Sequence, residues 1–299
     1  MNLKSLPARF RKPSLLIIGC GDVGMRAVGL LGERFRITAL SSNAARVPTL
    51  RALGVRTLVG NLDSPASLVR LMGVADRVLH LAPPQTAGVQ DLRTRALLRM
   101  LVRGRKPQRL VYGSTTGVYG DHAGAWLDET AALKPQTERA VRRVDAERQV
   151  LRLGVRSGVR ASVLRIPGIY DAALRSPLER LLKGTPALAA ADDVFTNHIH
   201  ADDLARQCVA ALFRAKPQRV INVVDDTEQR MGDYFDVAAA ALNLPKPPRI
   251  SRAEAEATLS PMQMSFMRES RRLRNSRMKR ELRAPLQFPT VHAAFKIVA

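Results

Sequence analysis

Leu15-Leu16-Ile17-Ile18 runs directly into Gly19-Cys20-Gly21-Asp22-Val23-Gly24, and apolar residues at helical spacing follow at Val23, Ala27, Leu30 and Leu31. An apolar strand that ends in G-x-G-x-x-G and opens a helix is suited to holding a dinucleotide pyrophosphate. Gly19 lets the chain turn sharply, Gly21 removes a Cβ that would keep phosphates away, and Gly24 lets the helix pack closely on the strand. The new helix offers unpaired N–H groups and the positive end of its dipole to the anion. Glycine spacing alone is common, and the bland alternative is a turn that binds nothing. The order strand, glycines, helix, second strand within about 30 residues makes the pattern specific.

Working outward, the first half alternates strands and helices. Strands are expected at Leu15–Ile18, Arg36–Leu40, Arg56–Val59, Arg77–Leu81, Arg109–Tyr112 and Ala161–Leu164. Helices are expected at about 23–34, 44–53, 65–72, 89–103 and 136–156. This alternation predicts an α/β fold: a Rossmann-type, doubly wound parallel sheet, with ligands beyond the carboxyl ends of its strands. The binding domain is expected to span 13–225, with 166–200 contributing to a substrate pocket. Further strand and helix patterns read at Arg219–Val224 and 202–214, and the proline-rich 244–250 reads as a linker. Residues 226–299 are expected to form a small, mostly helical C-terminal lobe closing over the cofactor edge.

At 299 residues the chain can bury a large core. No apolar run approaches the roughly 20 residues that span a bilayer, so no membrane association is expected. The basic stretch Met1–Pro13 leads into a strand rather than a signal h-region. Two cysteines, Cys20 and Cys208, suggest no disulfide framework and fit a reducing cytoplasm. No metal site is expected. The net charge of +22 and pI near 11.3 raise the question of nucleic acid. However, 39 of the 48 basic residues are arginines scattered along the chain. Aromatics that could stack on bases are scarce and not interleaved with them, which disfavours nucleic acid. The densest patch, Arg268–Arg283, reads first as a solvated helical face, and second as a contact for a phosphate-bearing substrate.

The end of the second strand reads Leu40-Ser41-Ser42-Asn43-Ala44-Ala45-Arg46. A carboxylate that would bind ribose hydroxyls is missing there. Ser41, Ser42 and Arg46 suit a 2′-phosphate, which favours NADP(H) over NAD(H), although Arg46 could simply lie on a helix face. Gly60-Asn61-Leu62-Asp63 follows the third strand, where an adenine is usually met, which brings in Asn61 and Leu62. Leu81, Ala82 and Pro83 follow the fourth strand, against the ribose. His80 sits between apolar neighbours and reads as a structural histidine rather than a catalytic one.

Three further segments complete a pattern: Ser114-Thr115-Thr116-Gly117-Val118-Tyr119-Gly120, Leu164-Arg165-Ile166-Pro167-Gly168-Ile169-Tyr170, and Asn197-His198-Ile199-His200-Ala201-Asp202-Asp203-Leu204-Ala205. With the glycine loop, they make the chain resemble the extended short-chain dehydrogenase/reductase family, the NAD(P)-dependent epimerase/dehydratase group, over nearly its whole length. The resemblance implies cofactor contacts at Ser114 and Pro167 and substrate contacts at Thr116, Asp121 and His198. It also implies an oxygen-binding hydroxyl at Thr115. In that family a tyrosine exchanges the hydroxyl proton, and a lysine lowers its pKa and holds the ribose.

This chain departs from the family at that pair. The best register puts Arg139 at the tyrosine position and Arg143 at the lysine position, and no tyrosine occurs between Tyr119 and Tyr170. Arginine stays protonated, so Arg139 is no ordinary acid or base, while Arg143 could still supply charge. Tyr119, Asp121, Glu129 and His198 are the alternative proton donors, each read first as structural or substrate-binding.

Three functions follow. The first is an NAD(P)-dependent oxidoreductase or epimerase acting on a small hydroxyl, keto or nucleotide-linked compound, with Arg249 and Arg272 suited to a diphosphate. The second is a catalytically silent NADP(H)-binding sensor or partner-binding protein. Nucleic-acid binding comes third. The oligomeric state is open: the helices through which family members dimerise, 89–103 and 136–156, are dense in arginine.

Overall fold

A computed structural model describes residues 12–171 and 175–295. Most of the basic leader, through Arg11, lies outside the described residues.

Five strands come first: β1 (Ser14–Ile18), β2 (Arg36–Ser41), β3 (Arg56–Val59), β4 (Arg77–His80) and β5 (Arg109–Thr115). Two more follow, β6 (Arg160–Ile166) and β7 (Arg219–Asn222). They form one parallel sheet in the order β3-β2-β1-β4-β5-β6-β7. The order reverses at β1, with β2 on one side and β4 on the other, both in parallel register with it. That reversal opens a crevice beyond the strand ends, where α/β sheets bind ligands. Every residue of β1 is buried, as expected for a strand covered on both faces.

The helices that position the crevice are α1 (Asp22–Leu31), α2 (Val47–Ala52), α3 (Leu92–Leu101) and α4 (Glu138–Ser157). Several of the expected helical segments depart from their expected bounds for local reasons. Residues 44–46 form a 3-10 turn before α2, and the 65–72 segment is a 3-10 helix at Pro65–Leu71. α3 starts at Leu92, later than the expected 89, because the Asp91 side chain caps it by accepting from the Thr94 N–H at 2.8 Å.

The chain divides into two compact units. The first gathers the residues up to Ser114, Val141–Leu164 and Ala205–Val220. Its core includes Leu16, Ile18, Leu40, Leu97, Leu110, Tyr112 and Val150. The second gathers Thr115–Ala140, Arg165–Leu204 and the residues from Ile221 onward. An aromatic cluster of Tyr170, Tyr234, Phe235 and Phe295 forms its main core.

The C-terminal part of the second unit is less helical than its sequence suggests. Arg272–Leu273 is a short strand paired in parallel with Trp126–Leu127, and Arg249–Ile250, within the expected linker, pairs with Ala187–Leu188. The basic patch Arg268–Arg283 is therefore no single helical face. Its helical part is Ser276–Leu282, and Arg271 is buried. Among the described residues no helix is long and apolar enough to cross a membrane.

Candidate active site

A cleft of about 390 Å³ lies at the ends of β1, β2, β3 and β4 in the first unit. Its walls contain Gly19, Cys20 and Gly21 after β1, Ser41, Ser42, Asn43 and Arg46 after β2, Asn61 and Leu62 after β3, and Leu81, Ala82 and Pro83 after β4. Most of the expected cofactor residues are thus brought together. Asp22, Val23 and Gly24 lie next to the cleft in the first turn of α1, with Val23 and Gly24 buried. Ser114 stands apart, buried at the end of β5, where its hydroxyl donates to Glu147 Oε1 at 2.5 Å. Pro167 belongs to the second unit.

The glycine loop is built for close approach. Gly19 has φ +82°, and a Cβ there would stand 2.5 Å from the Ala82 nitrogen, so only glycine fits without displacing the β4 end. At Gly21 a Cβ would meet nothing within 4 Å; the space it would fill belongs to the cleft. Gly21 is also the N-cap of α1 and supplies no capping side chain, which leaves first-turn N–H groups for a ligand. Asp22 folds back onto Arg26 at 2.9 Å. Burial pushes the Cys20 thiol up to about 11, partly opposed by Arg46, so it stays a neutral wall of the cleft.

Arg46 lines the cleft, and its guanidinium donates to the Met25 sulfur at 3.4 Å. Among the described residues no Asp or Glu lines the cleft. Sequence reasoning missed Asn43 and Arg93. Asn43 caps the 3-10 turn by accepting from Ala45 N at 2.9 Å. Arg93 reaches the cleft from α3 and pairs with Asp63 through two nitrogens, at 2.7 and 2.5 Å. No pattern in the sequence announces that pair, because 30 residues separate its members.

Arg143 is buried on α4. Its Nη1 donates to the Tyr112 hydroxyl at 2.8 Å and to the Gly113 carbonyl at 2.9 Å. Burial pushes Tyr112 up to about 12, against the opposing charge of Arg143. His80 is buried beside this group. Its Nε2 lies 3.0 Å from Thr94 Oγ1, whose own hydrogen goes to Asp91 Oδ2 at 2.9 Å. His80 must therefore donate through Nε2, as befits a neutral structural histidine. Burial, aided by Arg143, depresses its pKa to about 3.

The remaining candidates lie in the second unit, and most are tied up by protein partners. Tyr119 is fully buried and its hydroxyl donates to Asn222 Oδ1 at 2.7 Å. Glu129 accepts from the Asn222 N–H at 3.0 Å and pairs with Arg277 at 3.4 Å. Asp121 accepts from Ser270 N at 2.8 Å. His198 is buried and stacked on Tyr234, ring centres 4.2 Å apart. Thr116 is buried, Arg139 is exposed, and Thr115 is half-buried with its Oγ1 accepting from Gly117 N at 3.3 Å.

Arg249 and Arg272, expected to meet a diphosphate, each have a carboxylate partner in the second unit. Arg249 pairs with Asp236 at 3.0 Å, and Arg272 pairs with Glu228 at 2.7 Å while lying over the Phe195 and Trp126 rings. Carboxylates and aromatic faces close at hand already answer both charges.

The fold and cleft together define a dinucleotide-binding α/β protein of the doubly wound kind. Its sequence over residues 16–224 matches the NAD dependent epimerase/dehydratase family, and the chain belongs to that family. That family is described as NAD dependent, and the matched segment takes in the glycine loop and all the strand ends that line the cleft. A functionally unknown conserved protein from Silicibacter pomeroyi DSS is 30% identical and superposes with a TM-score of 0.79, covering 96% of this chain and 98% of that one. An NAD(P)H azoreductase of Xenophilus azovorans is 31% identical over 119 residues, which is 38% of this chain and 41% of the relative. UDP-glucuronic acid 4-epimerase of Bacillus cereus shares the fold, with a TM-score of 0.75 at 17% identity, over 95% of this chain and 96% of that one.

Proposed function

We propose that the protein is an NADP(H)-dependent oxidoreductase of small hydroxyl or keto compounds that works without the usual tyrosine–lysine pair. The observation that carries the cofactor choice is Arg46, a cation in a cleft whose described lining holds no carboxylate. A carboxylate after β2 would select NAD(H) by accepting from the ribose hydroxyls, and would repel a 2′-phosphate. Arg46, with Ser41 and Ser42, offers the opposite chemistry.

The glycine loop, the open first turn of α1 and the walls after β2, β3 and β4 are the residues that would hold the nucleotide. When bound, the cofactor supplies a hydride donor or acceptor at its nicotinamide ring. The chain's own part is binding and orientation. Thr115 offers a half-buried hydroxyl to a substrate oxygen. Arg143 takes the lysine position, and its Nη1 donates to Tyr112 and Gly113, so it braces the strand ends. The NAD(P)H azoreductase relative supports reduction as the direction of the reaction.

A second reading, silent NADP(H) binding in a sensor or partner-binding protein, draws on that same engagement of Arg143 and on the exposure of Arg139. Fluorescence titration with NADPH and with NADH, repeated on Arg46→Ala, tests the binding. NADPH should bind at least tenfold tighter than NADH, and the variant should erase the difference. Equal affinity for both nucleotides in the wild type would remove the basis for NADP(H). A panel of carbonyl compounds offered with NADPH then separates the two readings: turnover supports the enzyme, and firm binding without turnover supports the sensor.

A further inference from the structure

Two walls of the dinucleotide cleft are joined by one side chain. Gly60, Asn61 and Leu62 after β3 form one wall, and Leu81, Ala82 and Pro83 after β4 form another. Asp63 directly follows the first wall. The Arg93 guanidinium grips its carboxylate at 2.7 and 2.5 Å, and Nη1 of the same group lies 3.4 Å from the carbonyl oxygens of Pro83 and Pro84 at the second. Arg93 itself lines the cleft. A two-pronged guanidinium–carboxylate pair is directional, so it sets a distance as well as a charge balance.

We infer that the Asp63–Arg93 pair is a strap that fixes the width of the cleft at its β3 end and thereby positions the adenine half of the nucleotide. The inference rests on the proposal that the cleft holds NADP(H). Which half is affected follows from the fold: the ribose next to the adenine belongs at the end of β2, and β3 lies beyond it, away from the strands toward which the nicotinamide half extends. Arg93 is then a positioning residue. Its charge is balanced by Asp63, so it acts by holding two walls in register, whereas Arg46 has no carboxylate in the cleft to balance it. The pair is partly exposed, with 26% of the Arg93 side chain and 45% of Asp63 accessible. Its loss should leave the fold intact and loosen the site.

The test compares wild type with Asp63→Asn, Arg93→Ala, the double variant, and the exchanged pair Asp63→Arg/Arg93→Asp. Calorimetric titrations use NADPH, adenosine 2′,5′-bisphosphate and reduced nicotinamide mononucleotide, and unliganded melting temperatures serve as a control on folding. Each single variant should weaken NADPH and the bisphosphate by about fivefold, the size of a partly exposed ion pair. The double variant should be no worse than either single one, the mononucleotide should be unaffected, and the exchanged pair should recover part of the loss. Wild-type binding of NADPH with both single variants within twofold of it would overturn the strap alone. So would loss in Arg93→Ala without loss in Asp63→Asn, which would make Arg93 a direct phosphate contact. A wild type that binds neither NADPH nor the bisphosphate would overturn the cofactor reading as well.

Discussion

The Arg143 guanidinium lies 2.8 Å from the Tyr112 hydroxyl, with its carbon 5.6 Å from the centre of the Tyr112 ring. A residue at the position where family members carry lysine is thus held between α4 and the end of β5. One nitrogen, Nη1, serves both the hydroxyl and the Gly113 carbonyl. Removing it strands buried polar groups. Arg143→Ala should cost about 2–4 kcal/mol in denaturant unfolding, and Arg143→Lys less, because an ammonium recovers one of the contacts. If Arg143→Ala unfolds like the wild type, the side chain is no brace.

Gly19 and Gly21, two positions apart, should separate cleanly in experiment. Gly19→Ala forces a side chain into the left-handed region and into the Ala82 backbone. It should lower the melting temperature markedly, with a cost of about 2–4 kcal/mol. Gly21→Ala meets open space. It should melt close to the wild type and lose nucleotide affinity by at least tenfold, read by NADPH fluorescence. Equal melting temperatures and equal affinities in the two variants would contradict the geometry of the loop.

Tyr119→Phe separates a structural hydroxyl from a catalytic one. The hydroxyl donates to Asn222 Oδ1 inside the second unit. Its loss leaves a buried acceptor unpaired and should destabilise the protein by about 1–2 kcal/mol. The pH profile of any turnover should keep its shape. A profile that loses a limb in Tyr119→Phe would instead make this tyrosine the proton donor.

The buried histidines set the acid limit. Burial depresses His80, with help from Arg143, and His198 to about 3 each. The folded protein keeps both neutral while the unfolded chain protonates them below about 6.5. The unfolded state therefore binds more protons, and stability from these groups is complete above pH 6.5 and falls as the pH drops toward 3. Asp225 opposes them: burial raises it to about 7, so its folded form holds a proton that the unfolded chain gives up above about 4. Urea unfolding at stepped pH should show stability rising from pH 5 to 6.5. Asp225→Asn should steepen that rise and His80→Gln should flatten it. A wild-type curve that declines over this range would refute the balance.

What was legible in the sequence was local or periodic. The strand–glycine–helix sequence at Leu15–Gly24 and the apolar alternation that follows fix the parallel sheet, because burying both faces of a strand demands continuous apolar residues. The ends of those strands then name most of the cleft. The burial of His80 was legible because its neighbours Val78 and Leu79 on β4 are apolar and buried.

The tertiary structure alone decided which charges meet. A sequence of net charge +22 does not say that Arg249 finds Asp236, that Arg272 finds Glu228, or that Arg93 finds Asp63. Pairing energy falls off over a few ångströms, and these distances are set by folding, not by spacing along the chain. The two-residue strand Arg272–Leu273 has the same cause: a segment so short becomes a strand only when a partner, here Trp126–Leu127, supplies the hydrogen bonds.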